Sequence, residues 1–143
     1  MLQIVDPTKS GLREYDAWGS GYFKTSRGNR KHRGVDFKCE PGQIVVSPVD
    51  GVIIRAADPY GDGQYSGVFI DGLNFEIKMF YLKPYPRLIG EKVTAGQPIG
   101  IAQNIAKRYD HRMTPHIHLE IFLTPRDYFS VGAKVYIDPK VLL

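Results

Sequence analysis

Glycine and proline punctuate this chain so densely that long helices have little room between them. Fifteen glycines and ten prolines are spread over 143 residues. A proline in a helix interior removes a backbone donor and clashes with the preceding turn, and a glycine there costs about 1 kcal/mol relative to alanine. What lies between them are short runs rich in β-branched and aromatic residues, the pattern of an all-β protein. Gln43–Val46 and Val52–Ile54 read as strands on either side of the turn Pro48-Val-Asp-Gly51. Gly67–Ile70 and Phe75–Leu82 read as a hairpin around Asp71-Gly-Leu-Asn74, where Asp-Gly favours a tight turn. The stretch from Gly90 to Gly100 echoes Pro41 to Gly51, a faint internal similarity of two turn–strand units. Ile101 to Arg112 is the one helical candidate, a short helix or a loop, and His116 to Leu123 is the final strand. The last twenty residues carry no chemical signal.

Composition bounds the class. Hydrophobic residues make up 43% and charged residues 24%, which suits one compact domain over residues 1–143 and neither a disordered chain nor a membrane protein. No apolar run approaches the roughly 18 residues that suggest a transmembrane helix. The net charge of +4 describes a mixed, solvated surface. Its local excess is Lys24, Arg27, Arg30, Lys31 and Arg33, which can attract an anionic polymer or simply form a solvated loop. No recognition helix or aromatic RNA-binding motif accompanies these cations, so nucleic acid is not the expected partner. Cys39 stands alone, which excludes an intramolecular disulfide and reads as a buried apolar residue. Met1-Leu-Gln-Ile-Val-Asp-Pro7 lacks the basic start and apolar core of a signal peptide, so the expectation is synthesis without Sec export.

Two short clusters carry the chemistry: His32-Arg-Gly-Val-Asp36 and His116-Ile-His118. A strand sends residues i, i+2 and i+4 to one face. His32 and Asp36 therefore point the same way, with Gly34 between them leaving room for an ion. In the second cluster Ile117, Leu119, Ile121 and Leu123 alternate as a core face should, so His116, His118 and Glu120 line a cleft or meet water. A single strand histidine is more often a surface or hydrogen-bonded residue than a ligand. Two on one polar face, with a second His/Asp pair elsewhere, favour a metal. Two nitrogens and a carboxylate around an open position form the ligand set of a catalytic zinc. Glu120 reads by default as a surface carboxylate; its functional reading is an acceptor that orients a ligating imidazole.

Those clusters sit in a longer series of markers. Trp18-Gly-Ser-Gly-Tyr-Phe23, His32-Arg-Gly-Val-Asp-Phe37, Pro41-Gly42 through Gly51-Val52, Gly90 through Gly100, and Pro115-His-Ile-His-Leu-Glu120 follow one another in order. From about Trp18 to Ile121 the chain resembles the lysostaphin-type (LytM-like) zinc endopeptidases that cut peptidoglycan cross-links. The resemblance implies a mainly antiparallel β-fold, the duplicated hybrid motif, with a groove over one sheet and zinc at its floor. It implies that His32, Asp36 and His118 ligate one Zn2+ per chain and that His116 is a catalytic histidine beside it. The implied partner is peptidoglycan or a related peptide, met at the cell envelope after delivery by a phage particle, a secretion machine or lysis. Neither the cross-link cut nor the oligomeric state is legible; specificity belongs to groove loops such as Asp58–Gly63 and Ile101–Thr114.

One departure from the family stands out. A second catalytic histidine belongs in a Tyr-x-His-Leu element, and here that strand reads Met79-Phe-Tyr-Leu-Lys-Pro84. Matching the family's leucine to Leu82 puts Tyr81 in the histidine position; the other register, with Lys83 there, would set Pro84 on the leucine. In Lys78-Met-Phe-Tyr81 and the following Lys-Pro the chain also resembles vertebrate leukocyte cell-derived chemotaxin, regarded as a zinc-binding signalling protein of the same fold, whose disulfides a chain with one cysteine cannot form. A phenol is a poor general base at neutral pH but a competent donor to an oxyanion. His111, in the loop before His116, is by default a solvent-facing residue; its functional reading is a base that swings into the site. Three readings follow: a zinc endopeptidase, a zinc-binding module that does not cut, and, least favoured, a basic adaptor for an anionic polymer.

Overall fold

In a computed structural model the chain is described for residues 2–13, 34–123 and 135–143, and for the backbone alone of 26–27 and 30–31. Among the described residues twelve strands follow in order: β1 (Ser26–Arg27), β2 (Arg30–Lys31), β3 (Val35–Lys38), β4 (Ile44–Val46), β5 (Gly51–Ala57), β6 (Gly67–Asp71), β7 (Phe75–Phe80), β8 (Leu82–Pro84), β9 (Lys92–Val93), β10 (Pro98–Ala102), β11 (His116–Leu123) and β12 (Val135–Ile137). Among the described residues the only helical turns are short 3-10 turns, at Pro86–Leu88, Ile105–Arg108 and Pro139–Leu142. The helical candidate, Ile101 to Arg112, is thus the end of β10, a single 3-10 turn and loop. No helix among the described residues is long and apolar enough to cross a membrane.

Every strand pairing is antiparallel. The main sheet runs β12-β11-β7-β6-β5-β9, and β3 pairs β11 beside that path. A three-stranded sheet, β4-β10-β8, packs against it, and β1 with β2 forms a small ribbon. The faint internal similarity has a structural counterpart. The Pro41–Gly51 unit contributes β4 and leads into β5; the Gly90–Gly100 unit contributes β9 and most of β10. The two units pair crosswise, β4 with β10 and β5 with β9. Their turns are tied by Ser47 N–H donating to the Gln97 carbonyl at 2.8 Å and Gly96 N–H to the Ser47 carbonyl at 2.8 Å.

Side-chain alternation decides which face is core. In β7 Phe75, Ile77 and Met79 point inward; in β11 Ile117, Leu119 and Ile121 do. They meet Ile53, Val68 and Ile70 of the same sheet and Val45, Leu82 and Ile99 of the smaller one, all within one apolar cluster. Leu123, which the alternation also assigns to the core, ends β11 at 37% exposure. Cys39 is buried in the main cluster, as expected of a lone thiol.

Two backbone positions set the shape near the polar face. Gly34 leads into β3 where β11 passes directly over it: an added Cβ would meet the Leu119 carbonyl oxygen at 2.1 Å and Glu120 Cγ at 2.9 Å. Gly34 therefore makes room for a neighbouring strand rather than for an ion. At Tyr81 the hairpin strand expected to run to Leu82 breaks. Tyr81 has φ +78°, a left-handed conformation that costs a non-glycine residue about 1–3 kcal/mol. It is held there by its own N–H donating to the Ser66 carbonyl at 2.8 Å and its carbonyl accepting from Gln103 N–H at 2.9 Å. The kink sends β7 and β8 into different sheets and turns the Tyr81 side chain toward β11. Gly34→Ala should consequently destabilise the fold by about 1–3 kcal/mol or more, the usual cost of overpacking, with the loss read from urea unfolding.

Candidate active site

The polar face of β11 is organised by register. His118 lies directly across from Asp36 of β3 on one side and from Phe80 of β7 on the other; Glu120 lies across from Lys78. Directly paired residues project to the same face, so β3, β11 and β7 bring Asp36, His118, Glu120 and Lys78 together although some eighty residues separate the first two. Asp36, His116 and Glu120 are each no more than 5% exposed. Phe80 stacks on the His118 ring with centroids 5.9 Å apart, and Tyr81 meets the His116 ring edge-on at 5.5 Å.

Charges of alternating sign run through the site. Arg13 Nη1 donates to Asp36 Oδ2 at 2.9 Å, and Asp36 Oδ1 faces His118 Nδ1 at 2.9 Å. On its other side His118 Nε2 meets Glu120 Oε2 at 3.1 Å, and Lys78 Nζ reaches that oxygen at 3.2 Å. Burial alone would discourage a charged His118 ring, but the hydrogen bonds it donates to Asp36 and Glu120 outweigh it and carry the imidazole up to about 9. Burial likewise pushes the Glu120 carboxyl up, and its bonds to His118 and Lys78 reverse this and hold it below the ordinary value. Glu120 is thus no surface carboxylate but the buried acceptor that fixes one nitrogen of His118.

His116 differs in kind from its neighbour. Its Nδ1–H donates to the Thr114 carbonyl at 2.8 Å, so Nε2 carries the lone pair, 3.7 Å from Asp36 Oδ2. Burial lowers its pKa, against the pull of Asp36, and leaves the ring neutral. Tyr81 is pushed up to about 12, chiefly by burial, so the phenol keeps its proton. Cys39, outside this group, is raised to about 12 by burial and by the nearby Glu40, which makes its thiol inert.

The donor set suits a divalent cation. With Nε2 committed to Glu120, His118 turns Nδ1 toward Asp36 Oδ1, and Asp36 Oδ2 is committed to Arg13. Nδ1 and Oδ1 are thus the two donor atoms here that could hold a metal ion. Asp36 and His118 are two of the three ligands expected from sequence; His32, the third, lies outside the described residues. Among the described residues no group of three His, Cys, Asp or Glu side chains is arranged to hold a metal. The side chains of Lys24, Arg27, Arg30, Lys31 and Arg33, and the Trp18–Phe23 marker, also lie outside them. Lys83 is exposed on β8, and His111 is 93% exposed beside Asp110.

Several residues at the site escape a reading of the sequence. Arg13 has no motif around it; it arrives because Leu12 bridges to Phe37 and Arg13 N–H bonds the Asp36 carbonyl, which places a buried guanidinium on the Asp36 carboxylate. Lys78 is legible only once the β7–β11 register is known. Tyr60 and Tyr109 come from the two groove loops and gather at Tyr81: the Tyr60 and Tyr81 hydroxyls are 3.4 Å apart, those of Tyr60 and Tyr109 2.6 Å.

Residues 30–134 match peptidase family M23, and the chain belongs to that family. Bovine leukocyte cell-derived chemotaxin-2 is 33% identical over 111 residues, spanning 76% of this chain and 72% of that protein. The peptidoglycan DD-endopeptidase ShyA of Vibrio cholerae is 30% identical over 106 residues, 73% of this chain but 23% of that protein. The catalytic domain of the antimicrobial peptidase lysostaphin from Staphylococcus simulans superposes with a TM-score of 0.60 at 25% identity, over 86% of this chain and 88% of that one. The all-β architecture expected from sequence is that of this family.

Because His118 is raised from 6.5 to about 9, the metal-free protein gains stability from the charged ring in full below pH 6.5 and loses it as pH climbs through 9. Urea unfolding across that range should show the decline, and Glu120→Gln should flatten it. Arg13→Met should lower stability by about 3 kcal/mol in the same assay, since it leaves the buried Asp36 carboxylate short of a partner.

Proposed function

We propose that this chain is a zinc-dependent endopeptidase that hydrolyses peptide cross-links of peptidoglycan. The observation that carries the proposal is the β3–β11 register, which sets Asp36 against His118 Nδ1 and leaves the neutral His116 Nε2 beside them. Membership of family M23 and the likeness to a peptidoglycan endopeptidase and to lysostaphin support the same substrate class. On this reading a single domain acts at the cell envelope, reached through a phage particle, a secretion machine or lysis.

In this mechanism Asp36, His118 and His32 would hold one Zn2+, with Glu120 keeping the His118 Nε2 proton in place and Arg13 keeping Asp36 Oδ2 occupied. A bound zinc supplies Lewis acidity, which lowers the pKa of water to about 7 and polarises the scissile carbonyl. His116 does the proton work. Its Nε2, neutral and oriented by Thr114, takes a proton from the attacking water and returns it to the leaving amine. Tyr81, protonated at working pH, donates its O–H to the oxyanion of the tetrahedral intermediate where the family uses histidine.

A second reading rests on that same tyrosine and on the identity to chemotaxin-2: a zinc-binding module whose groove holds a ligand without cutting it. Purified peptidoglycan decides between the two. The peptidase reading expects soluble peptide products that a chelator abolishes and zinc restores. A zinc-loaded protein that releases nothing, while Tyr81→His gains activity, establishes the second reading instead. Asp36→Ala should strip the metal, whereas His116→Ala should retain it and lose about 100-fold or more in turnover; equal metal loss in both would overturn the assignment of roles.

A further inference from the structure

Tyr81 is the inner end of a line of three phenols. Tyr60 stacks on it nearly parallel, with ring centroids 6.3 Å apart at 15°, and their hydroxyls lie 3.4 Å apart. Tyr60 in turn makes a 2.6 Å hydroxyl contact with Tyr109, which is 47% exposed. Tyr65 braces the line edge-on, 5.9 Å from Tyr60 and 6.2 Å from Tyr81, and anchors itself by donating to the Asn104 carbonyl at 2.9 Å. The two loops that supply Tyr60 and Tyr109 are further joined by Arg108, whose guanidinium lies 3.7 Å over the Tyr60 ring and pairs with Asp62 at 3.1 Å. Two loops, a kinked backbone at Tyr81 and a stacked cation thus converge on one hydroxyl.

Each phenol owns one proton and can accept others. Each contact between neighbouring hydroxyls uses one proton, and the orientation of the line decides whether that of Tyr81 is among them. When Tyr109 donates to Tyr60 and Tyr60 to Tyr81, the free O–H is that of Tyr81. In the reverse orientation Tyr81 spends its proton on Tyr60 and has none for a substrate. Negative charge developing beyond Tyr81 selects the first orientation, since all the O–H dipoles then point toward it, and successive bonds polarise one another. The Arg108 charge over Tyr60 acts in the same sense by drawing electron density from that ring and making its hydroxyl a better donor. The 3.4 Å spacing is long for a hydroxyl pair, and charge developing on Tyr81 would draw the two together.

From this we infer that Tyr60, seconded by Tyr109, is a positioning residue that aims the Tyr81 hydroxyl proton at the substrate oxyanion. The inference rests on the endopeptidase reading and extends it to residues outside the metal and proton-transfer groups. It also assigns a use to the strained backbone at Tyr81, which holds the phenol at the junction of both loops.

Phenylalanine variants test it, since they keep the stacked rings and remove only the hydroxyls. With zinc-loaded protein and a soluble cross-linked muropeptide dimer, Tyr81→Phe should lower kcat about 100-fold. Tyr60→Phe should lower kcat about 3- to 10-fold with KM within about 2-fold, the range of one neutral hydrogen bond. The double variant should be no slower than Tyr81→Phe alone, because Tyr60 acts only through the Tyr81 proton. If Tyr60→Phe costs the same factor in both backgrounds, or nothing in either, the inference is overturned while the peptidase stands. If the wild type itself leaves the dimer intact, the endopeptidase reading fails and this inference falls with it.

Discussion

The pairing of His118 with Asp36 across β3 and β11 is the contact on which the rest of the site depends. Strand side chains alternate, so a slip of one residue would send His118 and Asp36 to opposite faces and carry Ile117 into the polar site. What prevents the slip is the other face of the same strand. Ile117, Leu119 and Ile121 are fully buried between the two sheets, and shifting them outward would expose three large apolar side chains at about 1.5–3 kcal/mol each. Core packing on one side of β11 therefore holds the register of the chemistry on the other.

Within that register, electrostatics assigns the roles. Arg13, Asp36, His118, Glu120 and Lys78 form a buried line of alternating charge in which each carboxylate sits between two cations. His118 lies at its centre with both nitrogens facing carboxylates, and so attracts either a proton or a metal at Nδ1. His116, two residues earlier on the same face, is instead bonded to a backbone carbonyl and stays neutral. Two histidines of one short motif thereby acquire opposite tendencies, one to hold a cation and one to move a proton. The difference comes from their hydrogen-bond partners, not from their spacing.

How far the sequence could be read follows the same division between local and non-local causes. The limits of β11 and its two faces were legible because alternation is a property of consecutive residues. The hairpin of β6 and β7 was legible through Asp71-Gly72, and the crosswise pairing of the two turn–strand units was hinted at by their shared pattern. Gly34 was recognised as a position needing space but with the wrong occupant, since only the tertiary fold brings the Leu119 carbonyl against it. Glu120 could not be told from a surface carboxylate, because its burial depends on strands β3 and β7 lying on either side. Arg13 carried no signal at all. Its contact with Asp36 needs the first dozen residues to return to the edge of β3, a pairing that leaves no periodicity behind.

The sequence by itself determined the all-β class, the polar and apolar faces of β11, and the chemical identity of the groups that could bind a metal or move a proton. It also located the departure at Tyr81. Local alternation and residue chemistry suffice for these, except that Tyr81 is a departure only against the pattern of the family the chain resembles. Only the tertiary structure decided which of those groups meet, that His116 stays neutral while His118 attracts a cation between two carboxylates, and that Tyr81 stands in a line of phenols supplied by two distant loops. Those outcomes depend on burial and on contacts between segments tens of residues apart, where the energy of a charge or a proton is set by what the fold brings within about 3 Å of it.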